Sequence, residues 1–225
     1  MCGRYQFDFR KPDHFYKRFD IIGADPKEIK TNFNIAPGQK LPVITPKNQH
    51  QVSIMTWGLI PFWEKSDRPA GLINVRDDTI RDKHWADQYI KSQRCLVPAS
   101  GFYEWKKTEE GKIPYYIHLK NEEYFSFAGI YSLWKSAKGD EVKSYAIITT
   151  GPNELMQSIH HRMPVILKQE DERRWLDIEL TQKHEITSLL KPLDSAKMSA
   201  YRISTRINKP LFNDPDLIKP VEDDN

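Results

Sequence analysis

A chain of 225 residues, 39% hydrophobic and holding six Trp, ten Tyr and ten Phe, has ample material for one compact core and lies below the size at which cores usually divide. Its 34 basic and 31 acidic residues leave a net charge of +3, far from the excess of a protein that coats duplex DNA, though composition alone does not decide about nucleic acid. No apolar run approaches the ~18 residues of a membrane span. The start, Met1-Cys2-Gly3-Arg4-Tyr5-Gln6, has no apolar stretch of the signal-peptide kind, so a cytosolic protein with no membrane contact is expected, its two cysteines, Cys2 and Cys95, free thiols in a reducing compartment.

In chain order, Lys11-Pro12-Asp13 followed by Phe15, Tyr16 and Phe19 predicts a short helix. Short runs rich in β-branched and aromatic residues then predict strands at Val52 to Trp57, Arg94 to Val97, Gly101 to Trp105, Tyr115 to Leu119, Tyr124 to Ile130 and Ser144 to Thr149. Helical patterns return after Asn153, a candidate N-cap, and again around Trp175 and Ile186 to Leu190. Strands first and helices at the edges and end predict an α+β fold, a single domain over 1–218 with a curved, mainly antiparallel, barrel-like sheet flanked by helices. The absence of Gly-x-Gly-x-x-Gly and of a P-loop removes the dinucleotide and P-loop readings. The polar stretch Lys219 to Asn225 is expected to fray.

Cys2 is the first candidate for chemistry. Trimming of Met1 would place an α-amine beside a thiol, and an α-amine titrates near 8, about two units below a lysine, so a useful fraction is nucleophilic near neutrality. Such an amine attacks an aldehyde to give an imine, on which the thiol closes to a five-membered thiazolidine at high effective concentration. The plain alternative is a small residue at an unimportant terminus.

Asn32-Phe33-Asn34-Ile35-Ala36-Pro37-Gly38 and Trp57-Gly58-Leu59-Ile60-Pro61-Phe62-Trp63 combine loop-fixing residues with flat rings, as a groove for unstacked bases requires, or as an aromatic core at a Pro-rich corner would. Asn74-Val75-Arg76 sets an amide and a guanidinium on one side of an extended segment, suited to a sugar hydroxyl and a phosphate, or simply to an exposed loop. Glu104 is one carboxylate in an apolar, strand-like run, either desolvated and able to exchange protons near neutrality or facing outward. In Ser158-Ile159-His160-His161-Arg162-Met163-Pro164 either imidazole can shuttle protons. With no second ligand cluster, no metal is expected. Cys95 reads as a buried small hydrophobe.

Taken together, Met1-Cys2-Gly3-Arg4, Asn34 to Gly38, Trp57 to Pro61, Asn74-Val75-Arg76, Gly101 to Trp105 and His160 to Pro164 resemble the SOS response-associated peptidase (SRAP) family over nearly the whole chain. The resemblance implies an SRAP-like fold and a sensor of abasic sites in single-stranded DNA that joins itself covalently to the ring-opened sugar. It makes Cys2 the nucleophile, Asn74 the residue that holds the sugar, Glu104 the aid to imine formation, and His160 the proton carrier in ring opening and reversal. Arg4, Arg76 and Arg162 would hold phosphates, Pro37 and Trp63 would stack on bases, and Asn34 and Thr149 would complete the DNA-binding set. It implies lyase-like cleavage as a side path and autopeptidase action on Met1; no cofactor is expected, a covalent sensor has no evident need for partners and is expected to be a monomer, and residence in the cytosol, on the nucleoid when cross-linked, is expected.

Val75, Asp78 and His161 depart from the family pattern, which usually has Ala, often Glu, and usually Asp there; the register of Arg162-Met163-Pro164 selects His160. Two other readings compete. An N-terminal nucleophile amidohydrolase of the glutamine amidotransferase type would use the Cys2 thiol on an amide, but the sequence has Arg4 where those carry an aliphatic residue and lacks their Asn-Gly dipeptide. A noncovalent single-strand binder would not need the thiol.

Overall fold

The computed structural model describes residues 2–21, 26–46, 51–66, 70–136 and 138–221. Among the described residues, thirteen strands and six α-helices follow one another: β1 (Tyr5–Phe7), α1 (Pro12–Phe19), β2 (Asn32–Ile35), β3 (Lys40–Thr45), β4 (Gln51–Trp57), β5 (Asn74–Arg76), α2 (Asp77–Asp82), α3 (Trp85–Ser92), β6 (Arg94–Ala99), β7 (Gly101–Thr108), β8 (Gly111–Leu119), β9 (Phe125–Lys135), β10 (Glu141–Thr150), α4 (Glu154–Gln157), β11 (Met163–Pro164), β12 (Ile166–Leu167), α5 (Gln169–Leu176), α6 (Lys183–Thr187) and β13 (Met198–Arg202).

β9 pairs with both β6 and β10, and β10 also pairs with β4, so β4, β3, β6, β9 and β10 close on themselves as a barrel. Closure leaves no bare edge along those strands. A second sheet, in the order β13-β8-β7-β1-β2, lies beside it and is antiparallel throughout. The only parallel pairings among the described residues join β10 to β4 and to β5. The expected α+β class and mainly antiparallel, barrel-like sheet are therefore what the chain forms.

The sequence explains the wall of the barrel. β6 (Arg-Cys-Leu-Val-Pro-Ala) is buried along its whole length and β9 along its first eight residues, as strands covered on both faces must be. Gly129 of β9 sits where any Cβ would come within 2.8 Å of Val97 and 2.9 Å of the Cys95 sulfur, so glycine permits the β6–β9 contact. Cys95 is the buried hydrophobe expected, in the wall. Arg94 is buried as well and donates to the carbonyls of Ile90, Trp175 and Asp177, a cation at the C-terminal ends of α3 and α5 that fastens both to the barrel.

α1 starts at Pro12, buries Phe15 and Phe19 one turn apart, and ends with Asp20 in the left-handed region at φ 56°. Asn153 caps α4 through its side chain, which accepts from the Met156 N–H at 2.9 Å. The strands β1, β2, β3, β11, β12 and β13 and the helices α2 and α3 have no counterpart among the predicted elements. The tail is held further than expected: the Val221 N–H donates to the Arg202 carbonyl at 3.1 Å and Pro220 bridges to Ile203, while 222–225 lie outside the described residues. No described helix is long and apolar enough to cross a membrane.

Candidate active site

The pairing of β1 with β7 decides where Cys2 lies. Tyr5 stands opposite Phe102 and the Tyr103 N–H donates to the Arg4 carbonyl at 3.0 Å, so the residues before Tyr5 run toward Glu104. Cys2 is fully buried there, its thiol 3.8 Å from the Arg4 carbonyl oxygen. Burial first, and then the negative charge of Glu104, push the thiol far above its usual range, so it is a neutral S–H near pH 7.

Asn74 reaches the same point from the other side. β5 lies along β10 with Asn74 opposite Ile147, and the Trp57 indole N–H fixes the preceding residue by donating to the Ile73 carbonyl at 2.9 Å. From that anchored strand the Asn74 amide donates to the Cys2 carbonyl at 2.7 Å. Its own carbonyl oxygen, Oδ1, is buried with no hydrogen-bond partner among the described residues.

Glu104 is 3% exposed, so the outward-facing alternative is wrong. Alternation does put it opposite Tyr103, but Tyr103 packs into a separate cluster with Phe33, Tyr116 and Ile207, leaving both faces of β7 covered. Burial pushes the Glu104 carboxyl up from its ordinary range.

His160 follows α4 and is held by its N–H, which donates to the Met156 carbonyl at 2.8 Å. Partial burial lowers its pKa, which keeps the imidazole neutral near pH 7. His161 stacks on it with ring centres 4.3 Å apart but is exposed, its pKa lowered mainly by the neighbouring His160. His160, with Glu104, Trp105, Lys107, Lys112 and Asn208, lines a cleft of about 420 Å³; His161 does not.

The residues expected on DNA divide into two groups. Arg76, Pro37 and Trp63 are at the surface: Arg76 pairs with the exposed Asp78, Pro37 tops the turn before Gly38, and Trp63 is 44% exposed with its ring edge-on to Phe62 and Trp85. Asn34 and Thr149 are fully buried, which rules out direct contact in this conformation. Asn34 instead accepts from Arg4 at 2.6 Å and donates to the Lys209 and Phe212 carbonyls at 3.1 and 2.9 Å. The Thr149 carbonyl accepts from Arg162 at 2.5 Å. Arg4 is half-buried, held also by the Ile207 carbonyl at 3.1 Å, and the Arg162 side chain is only 11% exposed.

Sequence reading missed Lys107 and Lys112, which face each other across the β7–β8 hairpin and place two cations at the cleft. Their signal was available as two lysines astride the turn segment Glu109-Glu110-Gly111. It also missed Asn208, which accepts from the Trp105 indole at 2.8 Å and whose place depends on the distant segment fixed by Asn34. Among the described residues no group of three or more His, Cys, Asp or Glu side chains could hold a metal ion.

Fold and site together define an α+β barrel protein with a buried cysteine flanked by the Asn74 amide and the Glu104 carboxyl, the latter sharing its cleft with the His160 imidazole. The model of the SOS response associated peptidase (SRAP) family matches residues 1–210, and the chain belongs to that family. It is 40% identical over 223 residues to the abasic site processing protein YoqW of Bacillus subtilis, covering 97% of this chain and 99% of the relative. To the abasic site processing protein HMCES of Gallus gallus it is 33% identical, over 75% of this chain and 57% of that one. A solved structure of a protein from Bacteroides thetaiotaomicron is similar at TM-score 0.89 and 35% identity, over 98% of this chain and all of the other.

Proposed function

We propose that this protein processes abasic sites in single-stranded DNA by cross-linking itself to the opened sugar through Cys2 once Met1 has been removed. The observation that carries the reading is the bond from Asn74 to the Cys2 carbonyl at 2.7 Å beside the buried Glu104, which brackets the residue whose amine and thiol would react. The names of the similar proteins support it.

The freed α-amine adds to the C1′ aldehyde, water leaves, and an imine forms. The thiol then adds to the imine carbon, its proton passes to nitrogen, and a thiazolidine results; the reverse sequence releases the DNA. A thiol that is neutral at rest fits this order, amine before sulfur. Glu104, raised toward the protonated state by burial, is suited to give a proton to the departing hydroxyl. His160, neutral and at the cleft, is suited to proton transfer during ring opening and reversal. Arg76 and the lysines at the cleft supply cations for flanking phosphates, and Pro37 and Trp63 supply surfaces for bases. Strand cleavage by elimination from the imine is a side path, and removal of Met1 by the same site is the peptidase activity. The protein acts as a cytosolic monomer.

The test is a denaturing gel with an oligonucleotide carrying one abasic site, together with the intact mass of the mature protein. A denaturant-resistant adduct is expected with wild type and absent with Cys2→Ala or with intact DNA. A wild-type protein lacking Met1 that leaves abasic DNA unshifted ends the proposal.

A further inference from the structure

Asp77 follows directly on the strand that carries Asn74 and Arg76, yet it is 7% exposed. Its carboxylate gathers partners from three places: Arg81 of its own helix at 2.7 Å, the Thr150 hydroxyl at the end of β10 at 3.1 Å, and the Arg162 guanidinium at 2.8 Å. Arg162 donates from the same nitrogen to the Thr149 carbonyl at 2.5 Å. Both side chains of the Asp77–Arg162 pair are nearly covered, 10% and 11% exposed. A pair so placed holds its geometry, whereas an exposed one would contribute little.

The His160 ring rests on the main chain of the same arginine. Nδ1 lies 3.1 Å from the Arg162 N–H and 3.1 Å from the Arg162 carbonyl oxygen. A neutral ring can accept at Nδ1 from the N–H, and a charged ring can donate from Nδ1 to the carbonyl. Each protonation state therefore has a partner without the ring turning, which suits a group that must take up and return a proton. That arrangement lasts only while Arg162 stays in place, and its side chain is fixed by Asp77 and Thr149.

We propose that Asp77 is a positioning residue that, through Arg162, holds the His160 imidazole at the cleft it shares with Glu104. Its kinetic consequence rests on the abasic-site reading; its structural consequence does not. Arg162 is then a brace for His160, and the orientation of His160 is tied to the strand that presents Asn74. One carboxylate thus keeps two sides of the site in register.

Two readouts test this. Without DNA, ring-nitrogen NMR reads the tautomer of His160 in wild type and in Asp77→Asn, with thermal denaturation confirming that the variant is folded. Nδ1 should report an accepted hydrogen bond in wild type and lose that signature in Asp77→Asn, while His161 stays unchanged. With an abasic oligonucleotide, Asp77→Asn should slow single-turnover cross-linking about tenfold, the equivalent of ~1.4 kcal/mol. In a His160→Ala background the same substitution should leave the residual rate within about twofold. An unaltered His160 signature overturns the proposal, and so does an equal slowing in both backgrounds. A wild-type protein that forms no adduct defeats the abasic-site reading, and the ring signature then decides this one alone. Should Asp77→Asn fail to fold, Arg162→Gln cuts the pair from its other end, with the same results expected.

Discussion

Replacing Asn74 by Ala separates a binding role from a structural one, because the two oxygen and nitrogen ends of its amide have opposite fates in the resting protein. The nitrogen donates to the Cys2 carbonyl at 2.7 Å, and its loss leaves the carbonyl of a fully buried residue unsatisfied, at a cost of about 1–3 kcal/mol. The oxygen is buried without a partner among the described residues, and removing it recovers about 1–3 kcal/mol of desolvation penalty. The two nearly cancel, so thermal stability should change by less than about 1 kcal/mol. Activity should not be spared. In the complex the oxygen can accept from a sugar hydroxyl, and losing both contacts removes about 1–3 kcal/mol of reaction-specific stabilisation, roughly 5–150-fold in rate. The assay is single-turnover adduct formation on a denaturing gel, paired with a melting curve for each variant. Unchanged cross-linking, or slowing accompanied by a matching loss of stability, would refute the reasoning.

Burial raises the Glu104 carboxyl, so folding favours its protonated form: the stability it contributes is full below the ordinary carboxylate range and is lost as pH rises through the raised folded value. Glu104→Gln should therefore melt at or above the wild-type temperature at pH 8, gain nothing at acidic pH, and cross-link about 10²–10⁴-fold more slowly, read from melting curves and single-turnover rates across pH. His160→Ala should slow adduct formation and reversal by at least about tenfold, whereas His161→Ala, which removes an exposed ring outside the cleft, should change either rate by less than about threefold; the reverse pattern transfers the role to His161. Glu172 accepts from both terminal nitrogens of Arg18 at 2.7 and 2.9 Å and from Ser126 at 2.7 Å beneath α5. Glu172→Ala leaves a half-buried guanidinium and the buried Ser126 hydroxyl without this partner, and a loss of about 1–3 kcal/mol in urea unfolding is expected, with no effect on cross-linking by the protein that stays folded. Finally, with the Cys2 and Cys95 thiols both buried and raised while Met1 is in place, neither should be alkylated by iodoacetamide at pH 7 in native protein that retains Met1, while both react in denaturant; rapid native modification of Cys2 in that form would show an ionised, accessible sulfur and contradict its burial.

What was legible in the sequence was whatever a short run of residues determines by itself. The strands that became β4 and β6 through β10 announced themselves by β-branched and aromatic content, and Asn153 announced the cap of α4. β1 and β13 were not legible, because each is a short segment whose strand character comes from the neighbour it pairs with: β1 is three residues lying between β2 and β7, and β13 is an edge strand zipped onto β8. Among site residues, Cys2, Asn74, Glu104 and His160 could be singled out by residue type in an unusual local setting. Asn34 and Thr149 could not be separated from surface residues by the same means, since polar residues are mostly exposed and only the tertiary fold shows these two fully covered. Asp77 was passed over for a related reason: an acidic residue beside another, Asp78, in a polar run reads as solvated. One of the pair does behave so, with Asp78 exposed against Arg76, while the other turns inward to Arg162. The sequence records both as the same letter, and the difference arises only when β10 and the loop after α4 close over one side of α2. Residues that meet substrate can thus be found by their own chemistry, but residues that hold those in place are defined by partners 73 and 85 positions away, and they come into view only with the fold.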